Sequence, residues 1–216
     1  MNRITAYIRQ SLQDIYPPEE VKALSMLICC DMLGVDALDI YMGKDIILSA
    51  CKQRELENII FRLQKNEPIQ YIRGYAEFCG RNFRVAPGVL IPRPETAELV
   101  DLIVKENPDA RRLLDIGTGS GCIAISLDKN LPDAKVDAWD ISEEALAIAR
   151  KNNEELDAQV TFRRQDVFSA DGIQGASYDI IVSNPPYVTE TEKTEMEANV
   201  PVSYTHLRAH ETCADL

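Results

Sequence analysis

The sequence predicts an α/β protein, in which a doubly wound parallel sheet follows a small all-α domain and a β-hairpin linker. Apolar residues recur at helical spacing up to residue 67, two short strand-like runs follow, and strand-like and helix-like runs then alternate from Arg111 onward. Such alternation is typical of a parallel sheet, because parallel neighbours need a crossover connection. We therefore expect four segments: a helical domain over residues 1–67, a hairpin linker over 68–92, a sheet domain over 93–200 and a non-native tail over 201–216.

The helical domain is predicted from three apolar stripes. The first lies before the break at Pro17 and Pro18, the second ends at Gly34, and the third stops before Pro68. Their apolar positions are Ile4, Tyr7, Ile8 and Leu12, then Val21, Leu24, Leu27 and Ile28, and then Leu56, Ile59, Ile60 and Leu63. Periodicity of this kind predicts a bundle and indicates no catalytic site, so the role we expect for the domain is to dock a partner.

The linker is predicted to be a hairpin whose strands are residues 75–78 and 82–85, joined through residues 79–81. A helix should begin near Pro94, because proline is tolerated in the first helical turn, and should continue to about Pro108.

The sheet domain is predicted to hold four strands, with Ser142 capping the helix after the second. These strands are residues 113–116, 135–139, 159–164 and 178–183. Right-handed crossovers would align the C-terminal ends of the strands along one edge, where ligands bind in such sheets.

Composition narrows the classes of function. The chain has 216 residues and a formal net charge of −12. This acidic charge disfavours the class of proteins that bind bare nucleic acid through its phosphates. The six cysteines form no CxxC pair and there are only two histidines, so we expect reduced thiols and no metal site. The opening MNRITAYIRQ is too polar for a signal-peptide core, and no apolar run approaches the roughly 20 residues of a membrane-spanning helix. We expect a cytoplasmic protein that is not embedded in a membrane.

A glycine-rich turn follows the first strand of the predicted sheet, directly after Asp115 and Ile116. It consists of Gly117, Thr118, Gly119, Ser120 and Gly121. Glycines let the backbone turn sharply and approach a ligand closely. The spacing is GxGxG rather than the GxGxxG of dinucleotide-binding turns, and the carboxylate of Asp115 would repel a pyrophosphate. The turn therefore favours a cationic sulfonium cofactor that carries an amino group.

Residues at the ends of the next two strands are predicted to complete this cofactor site. Asp140 ends the second strand, where a carboxylate can accept hydrogen bonds from both hydroxyls of a ribose. Asp166 ends the third strand, and Phe168 just beyond it can form a wall for an adenine ring. For Phe168, simple packing in the core is at least as good an interpretation. The alternative for the whole set is a structural turn with surface acids.

An Asn-Pro-Pro-Tyr motif follows the fourth predicted strand and is the most specific signal in the chain. It consists of Asn184, Pro185, Pro186 and Tyr187. The nitrogen of an amide or exocyclic amine is a poor nucleophile, and two hydrogen-bond acceptors aimed at its NH2 group can hold it and raise its electron density. Oδ1 of Asn184 can be one acceptor and a carbonyl of the rigid proline turn the other. Tyr187 can stack on the flat acceptor, so the motif predicts methylation of a planar NH2 group.

Together these residues resemble the class I methyltransferase fold, a Rossmann-like sheet, and more narrowly the release-factor glutamine N5-methyltransferases of the HemK/PrmC type. The resemblance covers roughly residues 1–200, and the string Ile-Pro-Arg-Pro-Glu-Thr at residues 91–96 carries most of the discrimination. It implies that Asn184, Pro185, Pro186 and Tyr187 hold the substrate amide. It implies that S-adenosylmethionine contacts Gly117, Thr118, Gly119, Ser120, Gly121, Asp140, Phe168 and Asn184.

The resemblance also implies a partner, namely a peptide-chain release factor whose GGQ motif supplies the glutamine. The N-terminal helices would help to dock it, no direct contact with nucleic acid is expected, and we expect a monomer. About four of the family's seven strands are present, and the string VSYTHLRAHET in the tail looks like translated vector sequence. A sheet cut off after its fourth strand would expose an apolar edge, so we expect poor solubility or weak activity.

Two other functions stay open at this point. An RNA or DNA exocyclic-amine methyltransferase would share the Asn-Pro-Pro-Tyr chemistry, although the acidic charge counts against it. The other is a non-catalytic binding protein produced by truncation.

Overall fold

The computed structural model describes residues 3–169 and 177–184, which form two compact units, each treated by itself below. The helical unit ends at Arg73 and the sheet unit begins at Gly74. The predicted site residues Pro185, Pro186 and Tyr187 and the predicted tail lie outside the described residues. No helix among the described residues is long and apolar enough to cross a membrane.

The helical unit contains five α-helices around one apolar core. They are α1 (Arg3–Leu12), α2 (Pro18–Met26), α3 (Ala37–Tyr41), α4 (Ala50–Leu63) and α5 (Ile69–Arg73). Most residues of the predicted stripes face inward, and Ile8, Leu12, Leu56 and Leu63 are almost completely buried. The prediction was wrong for Tyr7, which is 40% exposed. Ser49 caps α4 by accepting a hydrogen bond from the backbone N–H of Lys52, which satisfies one donor of the first turn.

The second helix does not end regularly, because residues Leu27–Met32 continue α2 as a π-helical turn. The N–H of Leu33 donates to the carbonyl of Ile28 at 2.9 Å, and the N–H of Val35 donates to that of Cys29 at 2.8 Å. The wider turn lets the consecutive side chains of Ile28 and Cys29 both be buried. Such turns amount to an extra residue inserted into a helix, which the spacing of apolar residues does not predict.

The sheet unit opens with an antiparallel hairpin of β1 (Tyr75–Phe78) and β2 (Arg81–Arg84). The prediction that β2 spans residues 82–85 with a three-residue connector was wrong by one residue. Cys79 and Gly80 alone form the connection, with φ angles of 47° and 70°. Two consecutive positive φ angles are typical of a tight two-residue hairpin turn, and Arg81 can therefore pair with Phe78.

The main sheet confirms the predicted fold class. It contains β3 (Arg112–Ile116), β4 (Lys135–Asp140), β5 (Thr161–Arg164) and β6 (Ile180–Ser183), and its helices are α6 (Pro94–Glu106), α7 (Cys122–Asn130) and α8 (Glu143–Glu155). The four strands lie in the order β5-β4-β3-β6, and every neighbouring pair is parallel. The core between sheet and helices includes Val100, Leu113, Ile125 and Leu127.

The register of the strands brings four C-terminal ends to one edge. Ile116 at the end of β3 pairs with Trp139 on one side and with Ser183 on the other, and Asp140 pairs with Arg164. The residues that follow the Ile116–Ser183 pair are Gly117 and Asn184. The two most specific sequence motifs therefore leave neighbouring strands at the same level of the sheet.

Candidate functional site

The glycine-rich turn is held by the end of the neighbouring strand. The carbonyl of Trp139 accepts hydrogen bonds from the N–H groups of Gly117 and Thr118, at 2.8 and 3.0 Å. The three glycines of the turn all have positive φ angles, between 56° and 80°. A Cβ at Gly117 or Gly119 would meet no heavy atom within 4 Å, so this side of the turn has room for a ligand.

Gly121 is required for a different reason. A Cβ there would lie 3.1 Å from the Cβ of Ala149 on α8 and 3.1 Å from Cδ1 of Ile125. The end of the turn is thus packed tightly against two helices, whereas its beginning is open.

Asp140 ties the turn to the start of α8. Its Oδ2 accepts from the N–H of Gly119 and its Oδ1 accepts from the N–H of Ser142, both at 2.9 Å. Ser142 then caps α8 through its own hydroxyl, which accepts from the N–H of Ala145, as the sequence predicted. Each oxygen of a carboxylate can accept more than one hydrogen bond, so these contacts leave capacity for ribose hydroxyls.

Asp115 lies completely buried beneath the turn. The hydroxyl of Thr118 donates to its Oδ2 at 2.6 Å, and its Oδ1 has no hydrogen-bond partner among the described residues. Burial raises the pKa of this carboxyl from its ordinary 3.8 to about 6, although the Thr118 hydroxyl and the nearby N–H of Ala124 oppose the shift. The carboxylate therefore carries a negative charge at neutral pH in a place where no cationic side chain among the described residues pairs with it.

Two hydrogen bonds hold Asn184 and its neighbour Ser183 at the end of β6. The hydroxyl of Ser183 donates to the carbonyl of Ile116 at 2.8 Å, which joins the end of β6 to the start of the turn. Nδ2 of Asn184 donates to the hydroxyl of Thr96 at 3.0 Å, and Thr96 is buried in the first turn of α6. The string at residues 91–96 thus contributes a side chain that orients the carboxamide of Asn184.

Two apolar side chains that follow the ends of β4 and β5 are exposed. Phe168 is 76% exposed, so the interpretation that it packs in the core was wrong. Oδ1 of Asp166 accepts from the N–H of Phe168 at 2.9 Å and fixes the backbone that carries the ring. Ile141, directly after Asp140, is 55% exposed and was not predicted from the sequence. The sequence signal that could have pointed to Ile141 is its place as an apolar residue directly after Asp140.

Comparison with known proteins identifies the family. A model for the PrmC N-terminal domain matches residues 4–74, and one for the methyltransferase small domain matches residues 95–208. The release factor glutamine methyltransferase of Flavobacterium psychrophilum is 40% identical over 203 residues, which cover 92% of this chain and 71% of the relative. The chain belongs to the release factor glutamine methyltransferase family.

Further family members match over shorter stretches. The relative from Koribacter versatilis is 49% identical over 78% of this chain and 60% of its own length, and that from Streptococcus pneumoniae is 47% identical over 70% and 54%. The chain therefore spans between about half and seven tenths of the curated relatives that it matches. A solved 16S rRNA N2 methyltransferase of T. thermophilus, in complex with AdoMet and guanosine, has a TM-score of 0.46 and 24% identity over 62% of this chain and 38% of that one.

The family uses S-adenosylmethionine, and the residues present fit this cofactor. The open side of the turn at Gly117 and Gly119 can take a ligand against the backbone. The carboxylates of Asp115 and Asp140 suit a molecule with a cationic sulfur and an amino group. Oδ1 of Asp115, beneath the turn, is a buried polar atom without a hydrogen-bond partner among the described residues, and a ligand with a donor group can supply one.

Proposed function

We propose that this chain transfers a methyl group from S-adenosylmethionine to the side-chain amide nitrogen of a glutamine in a peptide-chain release factor, the glutamine being that of the GGQ motif. The observation that carries the proposal is the register between β3 and β6, which places Asn184 beside Gly117. Relatives named for this activity, at 40–49% identity, support it. We place the activity in the cytoplasm and expect the protein to act as a monomer, with residues 1–67 docking the release factor.

The cofactor residues in this proposal are those that line the open turn. Gly117, Thr118, Gly119, Ser120 and Gly121 would support the methionine portion, and the carboxylate of Asp140 would accept from ribose hydroxyls. Two exposed apolar side chains, Ile141 and Phe168, would flank the adenine.

The acceptor residues would be Asn184, Pro185, Pro186 and Tyr187. Because Nδ2 of Asn184 donates to Thr96, the carboxamide is oriented with Oδ1 as the acceptor for the substrate NH2 group. When bound, S-adenosylmethionine would supply a methyl group from a cationic sulfur, which would become a neutral thioether. Asn184 and the proline turn would hold the amide nitrogen that accepts the methyl group and gives up its proton to water. Holding the amide in line with the methyl group is the main contribution of the protein, and alignment of this kind can contribute about 7–11 kcal/mol in favourable cases.

Substitution of Asn184 tests the proposal. Tritium transfer from labelled S-adenosylmethionine should reach a release factor and not RNA, and Asn184→Ala should lower the transfer rate by about a hundredfold or more, as loss of an electrostatic contact made in the transition state does. Asn107→Ala is a matched control, because Asn107 follows the opposite end of α6 from Thr96 and its side chain donates a hydrogen bond to the carbonyl of Ile103 in that helix.

Three outcomes would contradict the proposal. Label found only in RNA would favour the exocyclic-amine methyltransferase. The absence of cofactor binding in calorimetry would favour a non-catalytic binding protein. Equal rates for Asn184→Ala and the control would remove Asn184 from the acceptor site.

A further inference from the structure

Asn152, on α8, lies between the glycine-rich turn and the hairpin and uses its whole carboxamide in hydrogen bonds. Its Nδ2 donates to the carbonyl of Ser120 in the turn at 2.8 Å and to the carbonyl of Arg84 in β2 at 3.1 Å. Its Oδ1 accepts from the N–H of Arg84 at 2.6 Å. The side chain is 1% exposed, so these bonds are made without competition from water.

Two residues of α8, Ala149 and Asn152, lie against the glycine-rich turn. Ala149 lies one turn earlier on the same face of the helix, and it is one of the two residues that a Cβ at Gly121 would contact at 3.1 Å. Ala149 thus limits the space at the end of the turn, and Asn152 fixes the direction of the carbonyl of Ser120. Ser120 is one of the five turn residues that we have assigned to the cofactor.

The hairpin is joined to Asn152 through the backbone of Arg84. Both contacts between Asn152 and Arg84 use main-chain atoms of Arg84, whereas the guanidinium of Arg84 is 56% exposed and pairs with Glu155 at the surface. An exposed ion pair contributes little to stability. The side chain of Arg84 can therefore be removed without disturbing the link from hairpin to turn.

We propose that Asn152 is a positioning residue for cofactor binding, which couples the backbone of hairpin strand β2 to the glycine-rich turn. The inference rests on the proposed function, because it takes the ligand of the turn to be S-adenosylmethionine. Asn152 does not touch the cofactor; it holds the turn in the shape that the cofactor needs, and the hairpin serves as the anchor.

Calorimetric binding of S-adenosylmethionine to the full chain and three variants tests the coupling. Asn152→Asp keeps the size of the side chain and loses both donated hydrogen bonds, and Asn152→Ala loses all three, so both should raise the Kd about tenfold or more. Arg84→Ala should leave the Kd within about twofold, because its backbone contacts remain. In methyl-transfer assays, the Asn152 variants should raise the KM for the cofactor more than they lower kcat.

Hydrogen exchange on the unmodified chain gives a second reading that does not depend on the variants folding. The N–H of Arg84 donates to Asn152, so cofactor binding should slow the exchange of this amide as well as of the turn. Protection confined to the turn, or folded Asn152 variants with an unchanged Kd, would overturn the inference and leave the proposed function intact. An unmodified chain that binds no cofactor would instead refute the proposed function, and the inference with it.

Discussion

The helical unit and the sheet unit bury polar groups to very different extents. Among the described residues, one buried polar side chain, Ser25, lies in the helical unit. The other seven lie in the sheet unit, and they are Thr96, Asp115, Thr118, Ser120, Ser126, Asp140 and Asn152. Burial of a polar group is unfavourable unless it is hydrogen-bonded.

Five of these seven residues lie in the glycine-rich turn or hydrogen-bond to it or to one another there: Asp115, Thr118, Ser120, Asp140 and Asn152. Ser25 donates to the carbonyl of Val21 within its own helix, and its polarity is satisfied locally. Asp115 and Asp140, in contrast, bracket the glycine-rich turn. A helical unit built on apolar packing can support docking, whereas chemistry requires the groups that the sheet unit buries.

The largest expected difference between the two units is the response of their glycines to alanine. Gly121 in the turn and Gly43 in the helical unit both have positive φ angles, but only Gly121 has close neighbours at its Cβ position. Gly43→Ala should cost about 1–2 kcal/mol from the backbone alone. Gly121→Ala should add overpacking of about 1–3 kcal/mol and also weaken cofactor binding. Denaturant unfolding and calorimetry of the two variants measure this, and equal losses would show that the turn is not tightly packed.

The second difference concerns pH. The pKa of Asp115 is raised to about 6 by burial, so between pH 4 and 6 the folded state keeps a proton that the unfolded state has released. Stability should therefore fall as pH rises through this window, and Asp115→Asn should remove that loss, which is at most about 3 kcal/mol. Unfolding curves at several pH values measure the difference between the two proteins. Asp14→Asn, at an exposed position of the helical unit, should leave the profile unchanged; a parallel change there would contradict the assignment.

The smallest expected effects are one on activity in the sheet unit and one on stability in the helical unit. Thr96→Val removes the hydroxyl that accepts from Asn184 and should lower the transfer rate about tenfold, a loss comparable to one hydrogen bond, with little change in cofactor Kd. Thr96→Ser should restore the rate. Ser25→Ala in the helical unit should change the free energy of unfolding by less than about 0.5 kcal/mol, because alanine is the better helix former. A Thr96→Ser variant as slow as Thr96→Val would show that the hydroxyl is irrelevant.

The sequence was sufficient to predict the elements that depend on local pattern. The order of the four sheet strands and of the helices between them, the cap at Ser142 and the position of the turn after β3 were confirmed, whereas the short helices α3 and α5 were not predicted. The roles of the individual site residues stay predictions. The exact start of β2 was missed, because two positive φ angles at Cys79 and Gly80 shorten the connector.

What the sequence could not reveal are contacts between residues far apart in the chain. Thr96 looked like the end of a family string, and nothing near it indicates a partner at Asn184. Asn152 looked like an ordinary helix residue, since its three partners lie in the hairpin and the turn. Periodicity reports which face of an element is buried but not which distant backbone a polar side chain will meet.

The long separation between these partners also affects the time at which the site forms. The bond between Thr96 and Asn184 spans 88 residues, and that between Asn152 and Arg84 spans 68. Contacts between distant residues form slowly, because the chain between them must first be ordered. β3 can pair with β4 early in synthesis, but it meets β6 only after the whole intervening segment has left the ribosome. A nascent chain can therefore form its helices and three of the four described strands of this sheet some time before Asn184 reaches its place next to β3.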